Sequence, residues 1–297
     1  MTSISIIIVT YNSEKEIVNC INSLLPQLNN INDEIIIIDN DSTDDTITLI
    51  NFIESKSISL IQNNENFGYT RANNQGIKNA NGDYILFLNP DTTVPNGVIN
   101  NLLNEIKNDN NLGAIAPQLR CPNGKIQKSC RHFPRRRDIL YESMGLSKIL
   151  HNSKEFNYWK MGDFDHKKTS LVDQPAGAAL LIPKKIITEI GLFDEQFPMF
   201  FSDVDLCKRI WNAGYEVQYT TNSFITHEGG ASVYRKRIKM IVSSHFSFWK
   251  YFNKYKIKLS DNVLNILVGI FLLVLIPFRI ILNLLLPNLI KLERRSL

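Results

Sequence analysis

Asp91 stands in a short polar turn, Asn89-Pro90-Asp91, directly after an apolar run that ends at Leu88. A carboxylate there can bind a hard divalent cation, which usually keeps waters and substrate phosphate oxygens beside one or two protein carboxylates. Asn89 would add an amide to the shell of the metal or to a diphosphate. Alone, Asn-Pro-Asp is also an ordinary turn signal. We therefore treat this turn as a candidate site for a metal and a diphosphate.

A second acidic pair, Asp203 and Asp205, precedes an apolar helical pattern, and His227 follows further along the chain. Asp203, at or before the helix start, could face a cleft and act as a base, whereas Asp205 in the first turn is electrostatically favoured there. Both could also be ordinary acids of a helix N-terminus. His227 lies beside Gly229 and Gly230, which leave room for a ligand near the backbone.

Polar residues also follow the first two apolar strands of the chain. Thr10-Tyr11-Asn12 ends the first, and Asp39 is the first residue after the second. An acid at that position can accept hydrogen bonds from a base or a ribose hydroxyl, although the turn after it also suits helix capping. Gly68 precedes another helix, and Arg71 in its first turn could meet a phosphate, a common pattern by itself.

The elements that must position these residues alternate between strand and helix over the first 115 residues. Continuous apolar strands between helices indicate an α/β fold with a mostly parallel sheet covered on both faces, whose ligands gather at the carboxyl ends of the strands. We predict strands at 4–9, 34–38, 59–62 and 84–88, and helices at 14–25, 43–54, 69–80 and 98–107. Residues 114–173 lack such a pattern. Order returns with strands at 178–182 and 216–219 and helices at 184–190 and 204–213.

The last part of the chain is basic and apolar. From Arg235 onward it carries 12 Lys/Arg against 2 Asp/Glu, a net charge of +10, whereas the preceding residues sum to −6. Aromatic residues and lysines alternate over 245–258, and an apolar stretch over 263–276 is interrupted by Pro277. That stretch is shorter than the ~20 residues of a simple span. It carries one polar stripe: Asn265, Gly269, Arg279 and Asn283. The stripe predicts a helix lying in or re-entering a membrane; a buried helical hairpin is the alternative.

Composition sets the general class of the protein. Hydrophobic residues make up 44% of the chain and charged residues 21%, which excludes a disordered chain. The four cysteines have no metal-ligand spacing, and the N-terminus enters a strand at once rather than a signal peptide. We therefore expect a catalytic domain on the cytoplasmic face of the cell membrane, attached as a peripheral or monotopic protein.

Eight short motifs stand in an order that resembles the family 2 glycosyltransferases, particularly the rhamnosyltransferase-like members, over roughly residues 3 to 250. They are V-T-Y-N, I-D-N-x-S-x-D, N-x-G-x-x-x-A-x-N-x-G, F-L-N-P-D, A-G-A-x-L, G-x-F-D-E, S-D-V-D-L-C-x-R and H-E-G-G-A-S. The resemblance implies a GT-A fold and an inverting transfer from a nucleoside-diphosphate sugar, with rhamnose one candidate sugar. It also implies Mg²⁺ or Mn²⁺ and a glycan or lipid-linked acceptor in surface polysaccharide biosynthesis.

Carried over residue by residue, the resemblance gives roles to the candidates above. It makes Asp203 the general base, and Asp91 and His227 the residues at the metal. Ser202 stands where the family often has glutamate. The remaining matches would bind the nucleotide and diphosphate of the donor: Thr10, Tyr11, Asn12, Asp39, Asn66, Gly68, Arg71 and Asn89.

These expectations divide the chain into three parts and leave one rival function open. Residues 1–115 would bind the nucleotide sugar, 116–234 would bind the acceptor and catalyse transfer, and 235–297 would form the membrane-associated tail. A dehydrogenase or nucleotidyltransferase is disfavoured because Thr10-Tyr11-Asn12 replaces a G-x-G-x-x-G turn. A non-catalytic, membrane-bound sugar-nucleotide or glycan-binding protein remains the alternative. The apolar run favours lipid over nucleic acid as the partner of the tail.

Overall fold

The first four strands form a parallel set at one side of a single sheet. In the computed structural model, which describes residues 2–150, 153–229 and 237–285, they are β1 (Ile4–Thr10), β2 (Glu34–Asp39), β3 (Ile58–Gln62) and β4 (Tyr84–Leu88). Their register places Thr10 beside Asp39 and Ile8 beside Leu88. The predicted polar residues therefore follow neighbouring strand ends, at one edge of the sheet.

Helices cover both faces of this sheet, because alternate isoleucines of β1 point to opposite sides and are fully buried. One face packs against α1 (Ile17–Leu24), α2 (Thr46–Asn51) and α4 (Val98–Asn108). The other packs against α3 (Tyr69–Asn79), α7 (Lys184–Ile190) and α8 (Ser202–Asn212). A short 3-10 turn, Leu25–Gln27, extends α1. The predicted α/β sandwich is confirmed, and its helices differ from the predicted ranges mainly at their ends.

Five further strands complete the sheet: β5 (Thr92–Thr93), β6 (Leu112–Arg120), β8 (Ser170–Leu171), β10 (Ala179–Pro183) and β11 (Glu216–His227). The strand order is β3-β2-β1-β4-β10-β6-β11-β5, with β8 paired to β11. Strand β10 runs antiparallel to both β4 and β6, so the sheet is mixed but mostly parallel. Position 115, the predicted boundary between two halves, lies inside β6.

Two of these strands differ from the prediction: β6 was not predicted, and β11 is longer than predicted. Strand β6 lies in the stretch that lacked a pattern, because Gly113, Ala114, Ala116 and Pro117 dilute its apolar signal although eight of its nine residues are buried. Strand β11 was expected to end at 219. It continues through the polar residues 220–223, where its register shifts, and resumes pairing with β6 at Phe224. The extension carries His227 to the edge where Asp91 lies.

The middle of the chain contains only short helices and strands, and side-chain hydrogen bonds help to hold it together. It contains α5 (Arg136–Ser143), α6 (Leu146–Ile149) and a small ribbon of β7 (Cys130–Arg131) and β9 (Gln174–Pro175). The buried ring of His166 accepts a hydrogen bond at Nε2 from the Cys130 amide (3.0 Å) and donates from Nδ1 to the Phe164 carbonyl (3.0 Å). Burial lowers the pKa of His166 to about 4, so the neutral ring serves as a structural cross-link.

The tail is a hairpin of two helices, α9 (Arg237–Lys254) and α10 (Ser260–Leu285). The expectation that Pro277 interrupts the second helix is wrong: α10 continues through it. A helix can accommodate a proline where neighbouring groups satisfy the freed backbone. The segment Ser260–Ile281 is therefore long and apolar enough to cross a membrane. Residues 286–297, part of the predicted tail, lie outside the described residues.

The polar stripe of α10 faces the protein. The Asn265 side chain is buried; it donates to the Phe252 carbonyl (2.9 Å) and accepts from Arg136 Nε (2.7 Å). A Cβ atom on Gly269 would come within 2.8 Å of Trp249 Nε1, so a small residue lets the two helices approach. The side chain of Asn283 lies outside the described part. Most of the other described side chains of α10 are apolar and exposed, although Leu272 is buried against the protein. This exposure removes the alternative of a hairpin buried in the core.

Candidate active site

A cavity of about 700 Å³ opens at the carboxyl edge of the sheet. It brings together three residues that the sequence predicted on separate motifs: Asn89 after β4, Asp203 in the first turn of α8, and His227 at the end of β11. They meet because β4, β10, β6 and β11 are neighbours in the sheet. The arrangement agrees with the rule that ligands of α/β sheets bind beyond the carboxyl ends of the strands.

Asp203 is held by backbone amides. Its Oδ2 accepts from the Gly177 amide (3.0 Å) and its Oδ1 from the Val204 amide (2.9 Å). Burial raises the pKa of the Asp203 carboxyl above its ordinary value of 3.8, and the two amide hydrogen bonds oppose part of that rise. A carboxylate of raised pKa that lines a cavity in a fixed orientation is suited to accept a proton from a hydroxyl group.

Two neighbours of Asp203 were not among the predicted site residues. The Tyr69 hydroxyl donates to the Gly177 carbonyl (3.2 Å), and its pKa is raised by burial and by the charge of Asp203. A Cβ atom on Gly177 would lie 3.2 Å from Asp203 Cβ and 3.4 Å from Oδ2. The A-G-A-x-L motif was the available sequence signal, because a glycine there allows the loop to contact the carboxylate.

Asp91 and His227 form a second polar group at the same edge. Asp91 Oδ1 lies 3.3 Å from His227 Nε2, and the two side chains are 12% and 13% exposed. The other ring nitrogen, His227 Nδ1, lies 2.9 Å from Gln127 Oε1, and Gln127 Nε2 donates back to the His227 carbonyl (2.6 Å). If Nδ1 carries the proton, Nε2 has its lone pair directed toward Asp91. Gln127 had no signal in the sequence.

This pair fits a divalent cation that shares its coordination with a substrate. Among the described residues no group of three or more His, Cys, Asp or Glu could hold a metal by itself. Mg²⁺ and Mn²⁺ sites of phosphate-transferring enzymes commonly use one or two protein ligands and complete the shell with water and phosphate oxygens. One carboxylate oxygen, one imidazole nitrogen and a fixed tautomer are a suitable protein contribution.

The residues predicted around the nucleoside form a network at the ends of β1 and β2. Asp39 is fully buried; its Oδ1 accepts from Thr10 Oγ1 (2.8 Å) and Ser42 Oγ (2.6 Å). Asn12 has a left-handed backbone (φ 53°), its amide donates to Ser42 Oγ (2.8 Å), and its Oδ1 accepts from the Thr43 amide (2.8 Å). The buried Asp39 carboxylate thus stabilises the turn after β2 through these hydrogen bonds. Tyr11, between Thr10 and Asn12, is half-exposed.

Packing against the protein accounts for the conformation of the loop before α3. Gly68 has φ 85°, and a Cβ atom there would lie 3.0 Å from the Pro198 carbonyl oxygen, which explains the glycine without a phosphate. The Asn66 side chain accepts from the Gly68 amide (3.0 Å). Arg71 is exposed, and its guanidinium lies 4.2 Å from the Phe67 ring centroid. These residues, like those at Asp39, lie outside the lining of the cavity at Asp203.

Asp205 has a different environment from Asp203. Its carboxylate is fully buried and contacts Arg209 Nε (2.9 Å), the Tyr255 hydroxyl (2.7 Å) and Lys254 Nζ. The last two belong to the tail, at and just after the end of α9. Asp205 therefore joins the α/β domain to the tail, and these contacts fit the interpretation of Asp205 as a structural acid at the helix N-terminus.

Comparison with known proteins places this geometry in a family. The model of glycosyl transferase family 2 matches residues 5–165. The chain is 25% identical over 228 residues to N-acetylglucosaminyl-diphospho-decaprenol L-rhamnosyltransferase of Mycobacterium tuberculosis, covering 72% of each chain. It is 28% identical over 214 residues to the low-salt glycan biosynthesis hexosyltransferase Agl10 of Haloferax volcanii, covering 70% of this chain and 62% of the relative.

A solved structure supports the fold. The mannosyltransferase PcManGT from Pyrobaculum calidifontis, in complex with GDP-Man and Mn²⁺, superimposes with a TM-score of 0.58 at 16% identity, covering 93% of this chain and 71% of that one. At this identity the likeness concerns the fold alone. Together with the sheet order, it confirms the predicted GT-A architecture with a helical tail.

Proposed function

The chain belongs to glycosyl transferase family 2, and on that premise we propose that it transfers a sugar with inversion from a nucleoside-diphosphate sugar to an acceptor hydroxyl. The acceptor is a glycan or a lipid-linked saccharide of surface polysaccharide synthesis. Two relatives support this substrate class by their names, one a rhamnosyltransferase acting on a diphospho-decaprenol-linked sugar and one a hexosyltransferase of glycan biosynthesis. Rhamnose is accordingly the first sugar to test.

The orientation of Asp203 is the observation that carries the proposal. With both oxygens held by backbone amides, the carboxylate removes the proton of the acceptor hydroxyl as the hydroxyl oxygen bonds to the anomeric carbon. The bond from that carbon to the diphosphate oxygen breaks on the opposite face, and the nucleoside diphosphate leaves with the electron pair. One carboxylate suffices for this single displacement, whereas a retaining double displacement would need a separate nucleophile.

The donor would lie along the strand ends toward Asp39. Thr10, Tyr11, Asn12 and Asp39 would surround the nucleoside, and Asn66, Gly68, Arg71 and Asn89 would lie near the diphosphate. Asn89 supports this path because it follows β4 beside the ends of β1 and β10, and its amide is fixed on the Ala178 carbonyl (2.9 Å). We keep the predicted division into a donor-binding part (1–115), an acceptor-binding part (116–234) and a tail (235–297) as part of this proposal.

Asp91 and His227 would hold Mg²⁺ or Mn²⁺ beside the donor diphosphate. Such a cation stabilises the negative charge that develops on the departing diphosphate. The protein residues fix the site: Gln127 orients the His227 ring, and the Glu228 amide donates to the Asp91 carbonyl (3.0 Å), which ties β11 to the Asn-Pro-Asp turn.

The tail would hold the enzyme at the cytoplasmic face of the cell membrane. The exposed apolar surface of α10 supports this location, because such a long apolar surface is costly in water. The length and composition of Ser260–Ile281 would also suit a span.

Donor binding gives the first test. Incubation with a panel of nucleoside-diphosphate sugars that includes a rhamnose donor, with Mn²⁺, should raise the melting temperature by roughly 5 °C for the true donor at about 100 times its Kd. Only that donor should also be hydrolysed slowly. Absence of protection by every member of the panel would argue against a sugar-nucleotide enzyme, and protection without hydrolysis or transfer would support a non-catalytic binding protein.

The metal assignment gives a second test. Asp91→Ala should abolish Mn²⁺-dependent donor hydrolysis, and Gln127→Ala should weaken Mn²⁺ by about tenfold or more because the His227 ring loses its orienting partner. Gln218→Ala is the matched control: Gln218 lies on β11 with His227 but bonds to Glu105 (3.2 Å), so its loss should leave Mn²⁺ affinity unchanged. Electron paramagnetic resonance of Mn²⁺ in the presence of nucleoside diphosphate measures binding without turnover. Wild-type affinity in Asp91→Ala would remove this residue from the metal site.

A further inference from the structure

The cavity at Asp203 extends to the helices of the tail. Its lining includes His245 and Phe248 of α9 and Leu272 of α10. The Phe248 ring packs edge-on against Phe201, with the ring centroids 4.5 Å apart. Phe201 is the residue directly before α8, and Asp203 lies in the first turn of that helix. The tail therefore forms one wall of the cavity close to the proposed base.

His245 is a polar side chain in this wall, and it is only 3% exposed. Its Nδ1 lies 2.7 Å from the Ile241 carbonyl oxygen, one turn earlier in α9, so Nδ1 carries the proton and donates it there. Burial lowers the pKa of the His245 ring below its ordinary value of 6.5, which keeps the ring neutral at neutral pH. The second ring nitrogen, Nε2, therefore has a lone pair that can only accept a hydrogen bond.

The Nε2 atom of His245 receives no hydrogen bond from the part of the chain that the structure describes; the two contacts of the ring are both at Nδ1. A polar atom of a buried ring is unfavourable without a partner, so a ligand or a water molecule is expected to complete it. Because Nε2 accepts, that ligand must offer an O–H or N–H group, whereas an ionised carboxylate has only acceptor atoms. A sugar, which carries several hydroxyl groups, meets this requirement.

Contacts at two places fix the position of the tail wall against the α/β domain. The Tyr255 hydroxyl, just after α9, donates to the buried Asp205 carboxylate (2.7 Å). Arg136 Nε of α5 donates to Asn265 Oδ1 of α10 (2.7 Å), and Asn265 Nδ2 donates in turn to a carbonyl of α9. The His245 ring is therefore held in a defined place before any ligand binds, as recognition of one particular hydroxyl group requires.

We propose that the tail forms part of the acceptor site, and that His245 Nε2 accepts a hydrogen bond from a hydroxyl group of the acceptor sugar other than the one that reaches Asp203. The tail thereby takes part in recognition of the acceptor, besides any attachment to a membrane. That the bound sugar is the acceptor rests on the proposed function, whereas the contact between His245 and a sugar does not require transfer.

Chemical modification tests whether Nε2 faces the cavity. The full chain in phosphatidylcholine nanodiscs is treated with diethyl pyrocarbonate, which modifies a free neutral imidazole nitrogen, and mass spectrometry of the peptides measures the extent at each histidine. His245 should react, and one of a panel of octyl glycosides (glucose, galactose, mannose, N-acetylglucosamine and rhamnose), kept below their critical micelle concentrations, should protect it. His166, whose ring nitrogens are both hydrogen-bonded in the interior, is the control and should stay unmodified. An unreactive His245, or no protection by any glycoside, would overturn the proposal.

Two substitutions of His245 separate the nitrogen that binds the sugar from the one that bonds to the helix. His245→Asn keeps a donor for the Ile241 carbonyl but has no acceptor atom at the position of Nε2. It should raise the Kd of the protecting glycoside about fivefold to tenfold, the effect of one lost hydrogen bond. His245→Gln loses the bond to Ile241 but places an amide oxygen near the position of Nε2, so its Kd should stay within about twofold of wild type. Quenching of tryptophan fluorescence measures Kd, because Trp159 lines the cavity. Ser243→Ala, on the same helix but outside the cavity lining, is the control and should bind as wild type.

The order of the two variants distinguishes recognition of a sugar from a structural role. Weaker binding by His245→Gln than by His245→Asn, or equal binding by wild type and both variants, would assign His245 to the structure of the tail alone. Donor hydrolysis on the same preparations should be the same in wild type and both variants, and it separates this outcome from failure of the proposed function. Hydrolysis together with unchanged glycoside binding in His245→Asn rejects the acceptor contact alone. Glycoside binding that depends on Nε2, without hydrolysis or transfer of any donor, rejects the transferase and keeps the sugar contact.

Discussion

Asp203→Asn should lower kcat for transfer by about three orders of magnitude while leaving donor affinity unchanged, because a positioned general base contributes about 10²–10⁴-fold. Asparagine keeps the shape of the side chain and an oxygen for one of the two amides, Gly177 or Val204, but it cannot take the proton of a hydroxyl group. Donor affinity from thermal protection and kcat from product formation are measured on the same preparation. Asp109→Asn, before β6 at the opposite edge of the sheet, is the control and should transfer as wild type.

The pH profile gives a second readout of the same residue. Burial raises the pKa of Asp203 above 3.8, and only the deprotonated carboxylate can act as a base. Activity should therefore fall as the pH drops through this raised pKa, and the acid limb should disappear from the residual activity of Asp203→Asn. The raised value also means that the charged form costs folding energy above that pKa, and this cost is relieved at lower pH. Turnover near the wild-type rate in Asp203→Asn would exclude this residue as the base.

Asp205→Ala, two residues from Asp203, should lower the stability of the protein. The substitution removes a buried carboxylate that Arg209, Lys254 and Tyr255 share, and breaking a buried ion pair typically costs about 3–5 kcal/mol. Arg209 still donates to three backbone carbonyls, and Lys254 still pairs with Asp194. We therefore expect a loss at the lower end of this range, about 3 kcal/mol of the free energy of unfolding. For a domain of this size that is roughly a 6–12 °C fall in melting temperature.

The comparison of the two aspartates distinguishes their roles. Asp205→Asn keeps an oxygen for the Tyr255 hydroxyl and should lose less stability than Asp205→Ala. Below its melting temperature, Asp205→Ala should retain donor hydrolysis. Unchanged stability together with a large loss of kcat would contradict the structural role and would assign Asp205 to the catalytic chemistry.

The local sequence pattern was sufficient to predict the first part of the fold. The isoleucine runs of β1 and β2 are buried on both faces, so their apolar sequence predicts a parallel strand without reference to the rest of the chain. The polar residues after them had to meet at one edge because the strands are parallel neighbours. The same reasoning could not find β6, whose alanines, glycine and proline are buried by the helices that cover it rather than selected for strand propensity.

Some features of the candidate site could likewise be predicted from the sequence, and others could be seen only in the tertiary structure. The sequence by itself determined the family, the GT-A fold and the residue types available for chemistry, since these depend on ordered local motifs. Only the tertiary structure decided that Asp203 lines the cavity while Asp205 anchors the tail, because their side chains leave the same helix in different directions and meet different partners. It also decided that Gln127 supports His227 and that the polar stripe of α10 faces the protein, since contacts between residues far apart in the chain follow from packing and leave no periodic signal in the sequence.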